Sequence, residues 1–147
     1  MALTKVTADV LEDNSVGSTQ LVDSSIGHTQ LHNRYKNAAS ITSTSGTINI
    51  DWSAAAVYKM EASLTSAATL NFTGFVTGQV LTIYALQGAQ TLTLTSNATS
   101  SSTFHKVGGD YDGSSDPNVL QVECLDDNSV NAVFAYTIAT SASDTTP

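Results

Sequence analysis

The sequence is short of charge, and above all of positive charge. Charged residues make up 12% of its 147 residues, where about 25% is typical of globular domains. Thirteen acidic residues stand against five basic ones, which gives a formal net charge of −8. Because proteins that bind nucleic acids normally carry a basic stripe facing the phosphates, and these five cations form none, we expect no nucleic-acid partner.

The sequence has little cysteine and shows no pattern of a leader or of a membrane-spanning run. Cys124 is the single cysteine, so packing rather than an intrachain disulfide must hold the fold. No apolar run approaches the roughly 18 residues that span a membrane, and the opening MALTKVTADV lacks the regions of a secretory leader. We expect a protein that is made in a cytoplasm and not inserted in a membrane. In VLQVECL, Cys124 alternates with Leu120 and Val122, which is typical of a buried thiol in a strand.

A ten-residue repeat is the clearest pattern that the sequence does contain. DNSVGSTQL starts at Asp13 and DSSIGHTQL starts at Asp23. A spacing of five residues between apolar positions fits neither a helix nor a flat strand, and it cannot enclose a core within one chain. We therefore predict that residues 1–36 form an extended arm for assembly and attachment, with a flexible tail as the alternative reading. The residues predicted to carry assembly are Leu11, Val16, Leu21, Ile26 and Leu31.

From about Ala38 onward, alternation of apolar and polar residues predicts one short strand after another. About seven to nine such strands, with turn residues between them and no convincing helix, indicate an antiparallel β-sandwich or jelly roll. We assign this head domain to residues 37–141 and a frayed tail to residues 142–147. The clearest strand patterns lie at residues 47–51, 58–64, 79–86, 91–95, 118–125 and 131–140.

An acidic loop is the first candidate for chemistry. DYDGSSD places Asp110, Asp112 and Asp116 close together, and calcium prefers several oxygen ligands from a flexible loop. The loop departs from the EF-hand pattern in its glycine position and lacks the bidentate glutamate, so a solvated turn is the favoured interpretation. We predict no bound metal and no cofactor, and keep these three aspartates as weak calcium candidates.

Other candidates for catalysis are weaker. His28 and His32 have a spacing that suits a metal only on a helix, which the arm is not expected to form, and His105 has no evident partner. We find no nucleophile elbow or phosphate-binding glycine loop, and expect no enzyme. Trp52 and Tyr111 lie outside the strand patterns and are the aromatic residues best placed to contact a sugar.

The repeat units DNSVGSTQL and DSSIGHTQL resemble short repeats near the N-termini of tailed-bacteriophage fibre and capsid-decoration proteins. The opening LTKVTADVLEDNSV and the closing NVLQVECLDDNSVNAVFAYTIAT are similar to those proteins in style. The resemblance implies an N-terminal arm or stalk, a C-terminal β-sandwich head and assembly as a homotrimer.

Within that group, the resemblance implies a capsid decoration protein, of the cement or head-fibre kind. Its arm would bind the major capsid protein on the exterior of the virion. We expect this rather than a tail fibre because the chain is short. The alternative is a short tail fibre, or a host-recognition spike that binds a surface glycan through Trp52, Tyr111 and the acidic loop.

Overall fold

The computed structural model describes residues 33–35, 38–114 and 117–141, and the chain divides into two units after Leu31. The ten-residue repeat, with its five predicted assembly residues, His28 and His32, lies outside the described residues. So do Asp116 and the predicted tail.

The described part of the chain contains one short 3-10 turn and nine β-strands. The turn is Asn33–Tyr35. The strands are β1 (Ala38–Ile41), β2 (Gly46–Asp51), β3 (Val57–Met60), β4 (Ala68–Thr73), β5 (Val80–Leu86), β6 (Leu92–Ser96), β7 (Ser101–Gly108), β8 (Asn118–Asp126) and β9 (Asn131–Thr140).

The first six strands alternate between two sheets. β1, β3 and β5 pair in parallel in one sheet, while β2, β4 and β6 pair in parallel in the other. The chain therefore makes three coils, and each coil adds one strand to each sheet. The register is kept from coil to coil: Ile48 lies beside Leu70, and Leu70 beside Leu94. Because equivalent positions stack, each coil turns its apolar residues to the same side.

The last three strands complete the first sheet. β8 is antiparallel to β5 and to β9, and β7 lies parallel to β9, which gives the order β1-β3-β5-β8-β9-β7. The chain passes from the three-stranded sheet into this sheet between β6 and β7, where the hydroxyl oxygens of Ser96 and Ser102 lie 2.6 Å apart. We call the border between β6 and β7 the seam.

The predicted all-β class is confirmed, but the predicted antiparallel direction is wrong for five of the seven strand pairings in the described residues. From β1 to β6, successive strands do not return as hairpins, since each one crosses to the opposite sheet first. Such a crossover places strands of one sheet in parallel. The alternation in the sequence shows which side chains are buried, and it carries little information about the direction of the neighbouring strand.

Both sheets contribute to one apolar core. Phe72 of β4 and Phe134 of β9 belong to different sheets, and their ring centroids lie 6.0 Å apart. Both rings are fully buried. Trp52, which follows β2, packs against both of them. These rings hold the two sheets together.

Arg34, in the turn Asn33–Tyr35, packs into this body. Its side chain is 3% exposed and donates hydrogen bonds to the carbonyl oxygens of Trp52, Ala55 and Val80. The Arg34 carbonyl accepts a hydrogen bond from the Ala56 amide at 2.9 Å. The guanidinium carbon also lies 5.4 Å from the centre of the Trp52 ring, a distance that suits a cation–π contact. The turn belongs to the predicted arm, residues 1–36, but its side chain and backbone contact the strands that follow.

Candidate functional site

Apolar, aromatic and charged side chains lie together along the seam in the described body. A groove of about 130 Å³ runs there, which we call the seam groove. β6, β7 and β9 supply its walls, and the loop between β7 and β8 closes one side. Its principal lining residues are Leu92, Leu94, Lys106, Asp110, Tyr111 and Tyr136.

Residues 109–113 of the loop beside the seam groove are held by close contacts. Gly109 has φ +70°, and a Cβ there would lie 1.6 Å from the carbonyl oxygen of Ile138. Only glycine allows the loop to pass β9 at that distance. On its far side, the Gly113 carbonyl accepts a hydrogen bond from the Gly88 amide at 3.0 Å. The Tyr111 hydroxyl donates to the Gly88 carbonyl at 2.6 Å. The loop is therefore packed against the turn between β5 and β6.

Asn118 anchors the same loop from below. Its side chain is fully buried, and its amide nitrogen donates to the carbonyl oxygens of Leu86 at 3.2 Å and Asp112 at 2.6 Å. Its amide oxygen accepts a hydrogen bond from the backbone N–H of Asp112 at 3.2 Å. One side chain therefore satisfies both backbone groups of Asp112. Asparagine suits this position because it carries a donor and an acceptor together.

Replacing Asn118 by alanine is expected to lower the free energy of unfolding by about 2 kcal/mol, because buried backbone groups lose their partners. The matched control is Asn71→Ala. Asn71 also donates from its side chain, to Asn49 at 2.8 Å, but it does so at the exposed surface, so we expect a loss near 0.5 kcal/mol. Urea unfolding of both variants measures the difference. Equal losses would show that Asn118 does not anchor the loop.

Two of the three calcium candidates already bind neighbouring protein groups through their carboxylates. Asp110 forms an exposed ion pair with Lys106. Asp112 accepts hydrogen bonds from the Ser114 hydroxyl at 2.5 Å and the Ser114 amide at 3.0 Å, and these bonds hold the pKa of its carboxyl below the usual value. Among residues 33–35, 38–114 and 117–141, no group of three or more His, Cys, Asp or Glu side chains is arranged to hold a metal.

The two predicted sugar-contacting aromatics differ in their placement. Tyr111 lines the seam groove. Trp52 is fully buried, with its ring centroid 5.7 Å from that of Phe72 and 6.0 Å from that of Phe134. The prediction that Trp52 contacts a ligand at the surface is therefore wrong. Its position between two strand patterns did not reveal that both sheets close over it.

Of the two aromatic residues that line the groove, Tyr136 is the one not among the predicted sugar contacts. It shares an alternating pattern with Ala132, Phe134 and Ile138, which predicted a core residue. The other three are buried, but Tyr136 is partly exposed and lines the groove. β7 lies beside Tyr136 at Lys106, and its pairing with β9 shifts register directly afterwards, between Lys106 and Gly108. The pair Gly108-Gly109 was the available signal for such a bulge.

Cys124 and His105 show no catalytic arrangement. Cys124 is buried, as predicted, and burial, with a smaller effect of Asp127, raises the pKa of its thiol to about 11. The thiol is therefore protonated at neutral pH, whereas the nucleophilic form is the thiolate. His105 is exposed on β7, beside Ala135 of β9.

The Cys124 thiol is expected to resist alkylation by iodoacetamide in the native protein at mildly alkaline pH. Burial keeps the reagent away from the sulfur, and the raised pKa keeps the thiol protonated. After unfolding in guanidinium, one alkyl group per chain should appear in the mass spectrum. Native labelling at the rate of the unfolded chain would contradict the buried placement.

The outer faces of the two sheets differ in character. On the three-stranded sheet, polar residues fill the outward positions in stacked rows, such as Thr47 beside Thr69 and Asn49 beside Asn71, with the charged Asp51 at the end of β2. On the six-stranded sheet, a shallow groove of about 240 Å³ crosses β5, β8, β9 and β7. Val107 is 76% exposed there and Val80 is 40% exposed. We call this second surface the outer-face patch; its other lining residues are Gln121, Glu123, Ala135, Tyr136 and Thr137.

No family model, curated protein or solved structure matches this chain. Within the described ranges, no helix has both the length and the apolar character needed to cross a membrane.

Proposed function

We propose that this chain is a non-enzymatic structural protein of a tailed-phage virion, a homotrimeric capsid decoration protein of the cement or head-fibre kind. Residues 1–36 bind the major capsid protein on the outside of the shell, and the two facing sheets act as a sandwich-like head. The repeat carries this proposal. An apolar residue at every fifth position, in Leu11, Val16, Leu21, Ile26 and Leu31, needs neighbouring chains to cover it.

The outer-face patch supports the self-association in this proposal. An exposed apolar cluster on a body with few charges suits contact with another copy. Val80 and Ala135 lie in one row across three strands, with the exposed carboxylate of Glu123 between them, and Val107 lies at the edge of the same patch. The three-stranded sheet, with its rows of threonine and asparagine, has no comparable apolar surface among the described residues. Association through the six-stranded sheet would therefore leave the polar sheet facing water.

The proposed mechanism is adhesion. Burying apolar surface stabilises an assembly by about 25 cal/mol per Å², and specific interfaces bury more than about 1,000 Å² in total. Part of this gain is offset by the lost freedom of the attached chains. Many copies on one shell, each bound through such an interface, reinforce it against internal pressure without any chemical step.

Sedimentation velocity of the purified chain over a range of concentrations tests the assembly. We expect a trimer at the higher concentrations. A monomer at every concentration would remove the basis of the proposal.

The variant Val107→Lys tests the outer-face patch within that assembly. A lysine in the patch would have to be desolvated on association, so we expect the trimer to dissociate at concentrations at least about tenfold higher than for the unaltered protein. Thr47→Lys, on the polar outer face, is the control and should leave the trimer unchanged. If both variants sediment like the unaltered protein, the patch is not an interface.

A short tail fibre or host-recognition spike is the second candidate. The observation that favours it is the position of Tyr111 and Asp110 in one groove, because both belong to the set expected to contact a glycan. The site of the protein on the virion separates the two candidates.

A further inference from the structure

We propose that the seam groove binds the ring of a neutral hexose, as part of a glycan. The proposal concerns the described residues alone and does not depend on the proposed attachment through residues 1–36. The groove holds about 130 Å³, well below the roughly 300–1,000 Å³ of pockets for drug-sized ligands. It has room for a single ring.

The floor and walls of the groove suit the C–H faces of a sugar ring. Leu92 and Leu94 of β6 are partly buried and supply an aliphatic floor. Tyr111 and Tyr136 supply aromatic walls. Tyrosine combines an apolar ring with a polar hydroxyl, which suits a ligand with an apolar face and a polar rim.

The rim of the groove offers donors and acceptors side by side. Lys106 donates to one carboxylate oxygen of Asp110, and the carboxylate has a second oxygen that accepts hydrogen bonds. Vicinal hydroxyls of a sugar both donate and accept, so they match such a pair. Because the two charges neutralise each other, the rim favours a neutral ring over an anionic one.

The groove is also held ready for a ligand. Gly109 passes β9 at a distance that no Cβ would allow. Tyr111 is held by its hydrogen bond to the Gly88 carbonyl, and Asn118 fixes the backbone of Asp112. Binding therefore does not have to order residues 109–112 of this loop, which lowers the entropic cost of association.

Titration of the full-length protein with simple glycosides, followed by amide chemical shifts, tests the proposal. The probes are the methyl glycosides of glucose, galactose, mannose and N-acetylglucosamine, with methyl glucuronide as the anionic comparison. We expect saturable shifts at Lys106, Tyr111 and Tyr136 for at least one neutral glycoside, and weaker binding of the glucuronide. The absence of saturable shifts for every neutral glycoside would overturn the proposal.

Two variants locate the site. Tyr136→Ala should lower the affinity about tenfold, whereas Tyr84→Ala, which removes an exposed tyrosine from β5 outside the groove, should leave it unchanged. Asp110→Asn keeps the size of a side chain that is 88% exposed, so it preserves the fold and should lower the affinity several-fold. If Tyr136→Ala does not fold, the affinity of Asp110→Asn for the glycoside tests the site alone. Unchanged affinity in both groove variants, or an equal loss in Tyr84→Ala, would contradict the proposed site.

Discussion

Serine at Val16, Leu21, Ile26 and Leu31 together is expected to abolish trimer formation and attachment to the virion. Each change removes most of an apolar side chain, and burying such a side chain contributes about 1.5–3 kcal/mol. Summed over four residues in each of the three proposed chains, the lost free energy exceeds what a typical interface can lose and still hold. The body should still fold, because the strands that build its core begin at Ala38. Sedimentation and co-purification with virions measure the two losses, and thermal unfolding measures the body.

The matched control places alanine at Asn14, Thr19, Ser24 and Thr29. These four positions repeat with the same spacing of five residues, but they are polar and should not carry the interface. We expect this variant to assemble and attach normally. If the serine variant also assembles normally, residues 1–36 are not the assembly element.

Replacing Phe134 by alanine is expected to lower the free energy of unfolding by about 4 kcal/mol, a large share of the 5–15 kcal/mol that stabilises a typical domain. Phe134 is fully buried and stacks on Phe104 at 4.7 Å between ring centroids. Phe75 approaches it edge-on at 4.9 Å. Because Phe72 of the other sheet also contacts it, the cavity left by alanine lies where the two sheets meet.

Guanidinium unfolding at one fixed protein concentration measures this loss, since assembly makes stability depend on concentration. Val130→Ala is the control. Val130 is 46% exposed, and we expect a loss within about 0.5 kcal/mol. A loss below about 1 kcal/mol for Phe134→Ala would contradict the shared core, because removing a ring from its centre should cost several times more free energy.

The strands were predictable wherever one face of a segment is buried. Ile48 and Ile50 alternate with polar residues, and both are buried in β2. Leu70 and Phe72 repeat the pattern in β4. This information is local, since a strand needs only its own sequence to show which side faces the core.

The partners of the strands were not predictable from these patterns. Ile48 lies beside Leu70 of a parallel strand, 22 positions further along the chain, and nothing in either strand specifies that direction. The partial exposure of Tyr136 is not visible in the alternation of β9, and the burial of Trp52 depends on rings from two sheets. Both belong to the packing between elements. For that reason the sequence pointed to Tyr111 and Asp110, which line the groove, but did not reveal the partial exposure of Tyr136 or the burial of Trp52.

A search for the protein on phage particles tests the proposed function most directly. Gold-labelled antibodies raised against the full chain would mark it in electron micrographs of the phage. A capsid decoration protein predicts label over the whole surface of the head and none on the tail. Label confined to the tail would contradict the proposal and favour the fibre or spike.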